Sequence, residues 1–421
     1  MRVLIINTSE RTGGAAVAAS RLVEALKNNG VKATMLVRDK QTDEICVVGL
    51  KRSWLHLWRF LWERVVIWRA NHFRRHRLFD VDIANTGCDV TSLPEFRQAD
   101  VIHLHWINQG MLSLKGIERI LRSGKPVVWT MHDLWPCTGI CHYPAKCDHY
   151  RTECHHCPYI YKGGGRRDLS YRTFKKKQAL YGIARIRFVA CSQWLKEQAQ
   201  TSALLVGKNV VNIPNAINTN LYKPADKRLA REKARLPQDK RLLLFGSLKI
   251  TDERKGFAYL AEACRILAEK HPEWKESLGV VVFGRHSEQG TEQFPFQVYS
   301  LPYITDEHTL VDIYNAVDLF AIPSLEENLP NMIMEAMACA VPCVGFNTGG
   351  IPEMIDHLHN GYVAQYRSAD DFANGLHWIL SDPDYAELAG QARRKVLASY
   401  SESAVAKKYT DVYNEITGKH A

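Results

Sequence analysis

Pro323-Ser324-Leu325-Glu326-Glu327-Asn328-Leu329-Pro330-Asn331-Met332-Ile333-Met334-Glu335 is the stretch on which the reading of this chain turns. Before it, Leu319-Phe320-Ala321-Ile322 reads as a short buried strand, ended by Pro323 because proline has no N–H for a continuing ladder. From Met332 to Ala340 the chain is rich in strong helix formers and free of glycine and proline. The result is strand, loop and helix, with the first-turn N–H groups of the helix aimed at whatever occupies the loop, which makes an anion site. Glu327 falls in the loop and Glu335 on the first turns of the helix, spaced to accept hydrogen bonds from the hydroxyls of a ligand whose phosphates lie between them. A nucleotide sugar has that layout. Two solvated glutamates on an ordinary helix would have the same spacing.

The 421 residues suffice for two domains, and 46% hydrophobic with 24% charged residues is the make-up of a globular protein. Met1 to Asn7 is an apolar run too short for a secretion signal and reads as the first strand. No window approaches the roughly 18 uninterrupted apolar residues of a membrane span, so the expected location is cytoplasmic. The formal net charge of +10 favours acidic partners without choosing between nucleic acid, anionic lipid and phosphorylated metabolites. Among eleven cysteines, scattered ones such as Cys46, Cys264 and Cys339 suit small core positions in a reducing compartment.

The first strand leads through Gly13-Gly14 into a helical pattern from Val17 to Asn28, with Gly30 at its C-terminal cap and a strand from Val31 to Val37. The glycine pair allows backbone to approach a phosphate, or merely a tight turn; it lacks the full dinucleotide fingerprint, so nicotinamide binding is not supported. Ala99 to Trp106 and Pro126 to Asp133 read as strands, separated by a helix from Leu114 to Ser123. In open α/β sheets ligands bind at the carboxyl ends of strands, which places His105, His132 and Asp133 there.

Residues 51–79 put Trp54, Trp58, Trp62, Leu55, Leu61, Val65 and Val66 near helical spacing. Lys51, Arg52, Arg59, Arg64, Arg69, Arg74, Arg75 and Arg77 supply a polar face. A basic, tryptophan-rich amphipathic helix is the pattern of a segment lying in an anionic membrane interface; a surface helix packed on its own domain is the alternative. Cys141, Cys147, Cys154 and Cys157, the last two as C-x2-C, supply four thiolates for a closed tetrahedral zinc site, with His142, His149, His155 or His156 able to replace one ligand. Free thiols or a disulfide pair remain open. Lys162 to Arg167 is a glycine-rich basic loop, followed by a helix with Lys175, Lys176 and Lys177. A solvated loop and a cover for a phosphorylated acceptor both fit it.

After Val210 to Asn218 and a charged helix ending at Pro237, a second alternation begins. Strands from Arg241 to Gly246, Val280 to Gly284, Gln297 to Leu301, Leu319 to Ile322, Cys343 to Phe346 and Tyr362 to Ala364 are interleaved with helices that include Leu310 to Ala316 and Ile351 to His357. The expectation is α/β with two Rossmann-like, doubly wound domains: residues 1–212 on the acceptor side, 213–396 on the donor side, and 397–421 as a helix crossing back to the first.

Pro323-Ser324-x-x-Glu327 through Glu335-Ala336-Met337-Ala338, then Val341-Pro342-Cys343-Val344 and Gly349-Gly350-Ile351-Pro352-Glu353, resemble the C-terminal signature of the retaining family 4 glycosyltransferases. Pro214-Asn215-Ala216-Ile217-Asn218 is similar to that family's interdomain motif and Lys255-Gly256 to its Lys-Gly. His132-Asp133-x-Trp135-Pro136-x-Thr138-Gly139-x-Cys141, with the later cysteines, resembles a subgroup of bacterial surface polysaccharide enzymes that includes the colanic-acid type. The resemblance implies a GT-B fold, its two domains facing across a cleft, and retaining transfer from a UDP- or GDP-linked sugar to a hydroxyl of a saccharide or lipid-linked acceptor. It implies no catalytic metal or organic cofactor. By position, Glu335 would bind the ribose, Glu327 the donor sugar and Lys255 the diphosphate. Gly13 and Gly14 would approach phosphates or acceptor, His132 the sugar, and the backbone of Asn328, Leu329, Pro330 and Asn331 the anion. Gly246-Ser247-Leu248 stands where the family has Gly-Arg-Leu, which leaves Lys249 or Arg254 to carry the second positive charge.

The expected setting is the inner face of the membrane, with residues 51–79 against anionic lipid and no nucleic acid as partner. Two other functions fit parts of the pattern: a nucleotide-sugar epimerase of the same fold, and a non-catalytic, zinc-stabilised adaptor for membrane or nucleic acid.

Overall fold

The computed structural model describes residues 1–51 and 54–418, so Arg52 of the tryptophan segment lies outside the described residues. The chain forms two compact units, one of Met1–Ala216 together with the chain from Val405 onward, the other of Ile217–Ala404.

In the first unit, β1 (Arg2–Ser9), α1 (Gly14–Asn28), β2 (Lys32–Asp39), β3 (Val47–Gly49), α2 (Trp54–Ala70), α3 (Pro94–Gln98) and β4 (Val101–Leu104) are followed by α4 (Leu114–Arg122), β5 (Val127–Met131), α5 (Leu169–Leu180), β6 (Ile186–Ala190), α6 (Gln193–Thr201) and β7 (Val210–Asn212). The strands pair in parallel in the order β3-β2-β1-β4-β5-β6-β7. They are apolar on both faces because helices cover both, as a parallel sheet requires. Along β1, Leu4 and Ile6 join one core with Trp129, Phe174 and Phe188, while Val3 and Ile5 join another with Leu22 and Leu26 of α1.

The second unit continues with α7 (Lys227–Ala234), β8 (Arg241–Lys249), α8 (Phe257–Lys270), α9 (Trp274–Ser277), β9 (Leu278–Arg285), β10 (Gln297–Leu301) and α10 (Glu307–Ala316). It ends with β11 (Leu319–Ile322), α11 (Asn331–Ala338), β12 (Cys343–Phe346), α12 (Ile351–Met354), β13 (Gly361–Ala364), α13 (Ala369–Leu380) and α14 (Tyr385–Ser399). Its parallel sheet runs β10-β9-β8-β11-β12-β13. A last helix, α15 (Glu402–Thr417), packs Val405, Ala406, Tyr409, Val412 and Tyr413 into the α1 core of the first unit. There the Tyr413 hydroxyl meets His103 Nδ1 at 2.7 Å, and the Tyr409 hydroxyl meets Thr130 Oγ1 at 2.9 Å. Thr130 Oγ1 lies 2.7 Å from His103 Nε2, so both ring nitrogens of this fully buried histidine are satisfied.

Both doubly wound sheets are those the sequence predicts, but some boundaries shift. The helix expected to reach Ala340 ends at Ala338: Ala340 takes a left-handed φ of +60°, and the Val341 N–H turns back to Ala336 O at 2.9 Å. The helix expected to reach His357 stops at Met354, because Asn360 Oδ1 takes the Asp356 N–H at 2.9 Å into a separate turn.

Two side-chain assignments are overturned. Arg64, expected on the polar face of α2, is buried; it pairs with Asp82 and with Glu63 Oε2 at 3.3 Å, and donates to Leu78 O and Val81 O. Glu63 in turn accepts the Ile83 and Ala84 N–H groups at 2.8 and 2.7 Å. A buried ion pair depends on the hydrogen bonds around it; here the guanidinium Nη atoms and Glu63 Oε1 are bonded, while Arg64 Nε and Glu63 Oε2 make no hydrogen bond among the described residues. The helix is therefore anchored inward by charge and turns its apolar side outward, with Trp54 71% and Trp58 57% exposed. Lys177, expected with Lys175 and Lys176 on a basic surface, is also buried; its ammonium donates to Trp135 O (2.6 Å) and Thr138 O (3.0 Å) and lies 3.3 Å from the Trp135 ring centroid.

Two glycines in the second unit sit where only glycine fits. A Cβ on Gly256 (φ +70°) would stand 1.8 Å from Pro323 O, and one on Gly349 (φ +56°) 1.6 Å from Glu327 O. Gly256→Ala and Gly349→Ala are each expected to cost at least about 2 kcal/mol in urea unfolding, from left-handed strain plus the clash. Wild-type midpoints in both would contradict the two close approaches.

Candidate functional site

In the second unit the chain winds outward from β8 to β9 and β10, then crosses back to β11, β12 and β13. The segments leaving the adjacent carboxyl ends of β8 and β11 therefore part, and this is where open α/β sheets take ligands. The segment after β8 carries Arg254 and Lys255, and the one after β11 carries Glu327 and α11. Backbone bonds fasten the walls: Leu325 N–H to Arg254 O at 2.7 Å, and Gly350 N–H to Asn328 O at 2.8 Å. The Lys255 ammonium is paired with Glu327 Oε1, which also accepts the Ser324 hydroxyl at 3.3 Å.

Asn328 and Leu329 are buried, Pro330 caps α11 and Asn331 opens it. Four residues on, Glu335 is buried and its Oε2 accepts the Tyr314 hydroxyl of α10 at 2.8 Å. Burial and the neighbouring Glu335 push the Tyr314 phenol well above its ordinary pKa, which keeps the proton in place to donate. Of the two residues considered for the second positive charge, Arg254 is exposed and forks onto Asp252 at 2.8 Å, while Lys249 sits at the exposed end of β8. Lys255 is thus the cation held beside Glu327. Tyr314 escaped sequence reasoning because a tyrosine inside a helix carries no positional signal for the carboxylate it meets 21 residues later.

The first unit reverses its strand order between β1 and β4. Here Thr8 N–H donates to Trp106 O and Trp106 N–H to Asn7 Oδ1, both at 2.9 Å. Glu10 holds the loop beyond β1 by accepting the Gln41 and Thr42 N–H groups at 2.6 and 3.0 Å, and Gly13 (φ +93°) then starts α1 with Gly13 and Gly14 exposed. Beyond β4 and β5, His105 Nδ1 and His132 Nε2 lie 2.9 Å apart, and Cys191 Sγ is 3.5 Å from His132 Nδ1. Burial lowers the His132 pKa to about 4 and that of His105 well below its usual value, so the pair is neutral and shares one N–H between the rings.

Asp133 belongs to a different network. Its Oδ2 lies 2.7 Å from His142 Nδ1 and accepts Trp106 Nε1–H at 3.0 Å, and His142 Nε2 lies 2.7 Å from Asp82 Oδ2. Burial pulls the His142 pKa down, but Asp133 and Asp82 outweigh it and raise it to about 10, so this ring is an imidazolium. Burial works against Asp133 ionisation, yet His142 and the Trp135 and Trp106 donors hold it below the usual carboxylate range. Burial and the adjacent Asp82 push Glu63 up to about 7. With both nitrogens occupied by carboxylates, His142 is not a stand-in ligand for the cysteine cluster.

Cys141, Cys147, Cys154 and Cys157 line one cavity of about 10 Å³ together with His149 and His155. All eleven cysteines are free thiols, and Cys137 turns away toward Met131 Sδ at 3.8 Å. Among the described residues, the group whose ligand atoms already lie within 4.8 Å of one another is His271, Glu273 and His377; the four sulfurs stand around their cavity at wider spacing.

A family model described as Glycosyltransferase Family 4 matches residues 12–221, and one described as Glycosyl transferases group 1 matches residues 239–382. A D-inositol 3-phosphate glycosyltransferase of Thermobispora bispora is 25% identical over 329 residues, 75% of this chain and 70% of that protein. Some other curated relatives are matched over about half their own length. Among solved structures, sucrose-phosphate synthase from Thermosynechococcus elongatus superposes over 100% of both chains with a TM-score of 0.67 at 17% identity. Anabaena HepE in complex with UDP-glucose gives 0.62 at 16% identity, over 99% of this chain and 100% of that one. Two parallel Rossmann-like sheets, each with its polar groups at a strand-order reversal, define a glycosyltransferase of the GT-B class. The chain belongs to the family 4-like glycosyltransferases.

The imidazolium between two carboxylates carries a signed pH dependence. A pKa raised from 6.5 to about 10 contributes stability that is complete below pH 6.5 and is lost as pH rises through about 10. His142→Asn is expected to lower unfolding free energy at pH 7 by about 3–5 kcal/mol, because it leaves two buried carboxylates facing each other. The gap from wild type should narrow as pH rises toward 10 in urea titrations. A gap that widens with pH would contradict the bridge.

Proposed function

We propose that this enzyme is a retaining glycosyltransferase that moves a sugar from a UDP- or GDP-linked donor to a hydroxyl of a saccharide or lipid-linked acceptor in bacterial surface polysaccharide synthesis. The observation that carries the proposal is the Lys255–Glu327 ion pair beside the start of α11, at the strand-order reversal of the second unit. A nucleotide sugar leaves as a nucleoside diphosphate, and its growing negative charge gains most from a cation and helix N–H groups already in place. Lys255 and the first turn of α11 would take that charge. Glu327 would hold the donor sugar's hydroxyls, sharing Lys255 with the phosphates, and Glu335 would accept from the ribose, its other side fixed by Tyr314. Gly13, Gly14 and His132 of the first unit would serve phosphate, acceptor or sugar. The reaction needs no catalytic metal or organic cofactor; the four-thiol cavity is assigned a structural ion, for which zinc fits.

The test is binding and transfer with a panel of UDP- and GDP-linked sugars. Lys255→Ala is expected to lower kcat/KM by about 10²–10³, the usual effect of losing one preorganised donor to developing charge. Glu335→Gln should weaken nucleotide affinity about tenfold, roughly the loss of one charged hydrogen bond. Turnover unchanged in both would remove the site assignment.

We also propose that the enzyme works at the inner face of the membrane through α2. Trp54, Leu57, Trp58, Leu61 and Trp62 are exposed, and exposed Lys51, Arg69, Arg74, Arg75 and Arg77 flank the helix, which suits an anionic lipid surface. Among the described residues no helix is long and apolar enough to cross a membrane. Co-sedimentation is expected with phosphatidylglycerol vesicles and not with phosphatidylcholine, weakened by salt and at least tenfold by Trp58→Ala with Trp62→Ala. Equal sedimentation with both vesicles, or none with either, would overturn this placement.

A further inference from the structure

The thiol cavity of the first unit holds more preparation for a cation than its cysteines alone. We infer that Cys141, Cys147, Cys154 and Cys157 bind one structural zinc ion that clamps the segment between β5 and α5. The four side chains line, from two short loops, one cavity of about 10 Å³, the room of a single small sphere. Each loop is bent by a residue in the left-handed region, Ala145 between the first two cysteines and His156 between the second two. In the C-x2-C turn, that bend brings Cys157 back beside Cys154.

Backbone donors already address the sulfurs. Gly139 N–H donates to Cys154 Sγ at 3.3 Å, and the Tyr159 N–H donates to Cys157. N–H groups aimed at sulfur are the donors that hold thiolate ligands in place around a bound cation. Gly139 comes so close that a Cβ there would lie 2.5 Å from Ser170 O and 3.1 Å from Cys154 Cβ. The segment is thus packed tightly around the sulfurs.

Lys177 is the independent observation. It is fully buried, its side-chain nitrogen donates to the carbonyls of Trp135 and Thr138, and among the described residues no carboxylate forms a direct ion pair with it, Asp133 acting only at longer range. Four thiolates around a divalent cation carry two net negative charges, and Lys177 lies within electrostatic range of Cys141 and Cys154. The ion would give the buried ammonium the counter-charge its carbonyl partners lack, while the ammonium would neutralise half of the thiolate excess. His149 Nδ1 lies 2.8 Å from His155 O, and both rings line the same cavity as the four sulfurs. The clamped segment begins at Asp133 and includes His142, so the ion would steady the carboxylate–imidazolium network from its far end.

This inference does not depend on which sugar is transferred, or on transfer at all. The full-length protein, expressed with zinc supplied and washed with EDTA, is expected to hold about one zinc ion by elemental analysis. Cys154→Ser and Cys157→Ser should lose it, and Cys46→Ser, remote from the cavity, should keep it. On wild-type protein, mercurial titration of the thiols should release zinc in step with modification, which needs no variant to fold. Cobalt exchanged for zinc should show the charge-transfer bands of a tetrahedral thiolate site. Metal-free protein with its four thiols open to alkylation, or zinc retained in both Cys154→Ser and Cys157→Ser, would overturn the inference. UDP affinity read on the same samples separates this outcome from failure of the donor-site proposal.

Discussion

Two parallel sheets, each reversing its strand order once, constrain everything else in this protein. A parallel strand must be reached by a crossover, so every strand's carboxyl end empties into a loop on the same edge. Where the winding changes direction, two neighbouring strands send their loops apart and leave polar backbone between them. In the first unit this happens between β1 and β4, where the Thr8 N–H bonds to Trp106 O and the Trp106 N–H to the Asn7 side-chain oxygen across the gap. In the second it happens between β8 and β11, where Lys255 meets Glu327. The site residues stand in these places because the winding leaves no packed alternative there, and Gly256 and Gly349 let neighbouring backbone close in behind them.

The first unit carries a second polar system, an interior chain of charge from Glu63 and Arg64 through Asp82 and His142 to Asp133 and Trp106. It sets three carboxylates against two cations. Burial and crowding resolve the imbalance by raising the Glu63 pKa to about 7, so one acid is partly neutral near physiological pH. This network fixes the tryptophan helix to the loop after β5. It helps explain how α2 can present aromatic rings to solvent, since the helix is held by these ions together with Ile67, which is buried against Val81, Ile83 and Ile140. Removal of Arg64 or His142 leaves buried carboxylates without their counter-charge, a far larger cost than the net worth of the pair.

Along the strand ends, four histidines have different fates. His103 faces the α15 core and is satisfied by Tyr413 and Thr130; His132 and His105 share a proton; His142 is locked as a cation. Residue type and strand-end position identified where polar chemistry collects. The protonation state of each ring followed from partners supplied by other elements.

The sequence by itself determined the two βα alternations, the strand–loop–helix around Glu327 and Glu335, the Lys255-Gly256 turn, the clustering of four cysteines and the family. These are local signals: strand and helix periods, proline and glycine punctuation, and short motifs that act within a few residues. Only the tertiary structure decided that Arg64 and Lys177 point inward, that Tyr314 braces Glu335, and that His142 belongs to carboxylates instead of sulfurs. The physical reason is that a charged side chain enters a core only when its partners arrive with it. Those partners lie 18 residues from Arg64, 39 and 42 from Lys177 and 60 from His142 along the chain. Helical periodicity places a side chain on one face of its own helix, but it does not record which distant group that face will meet.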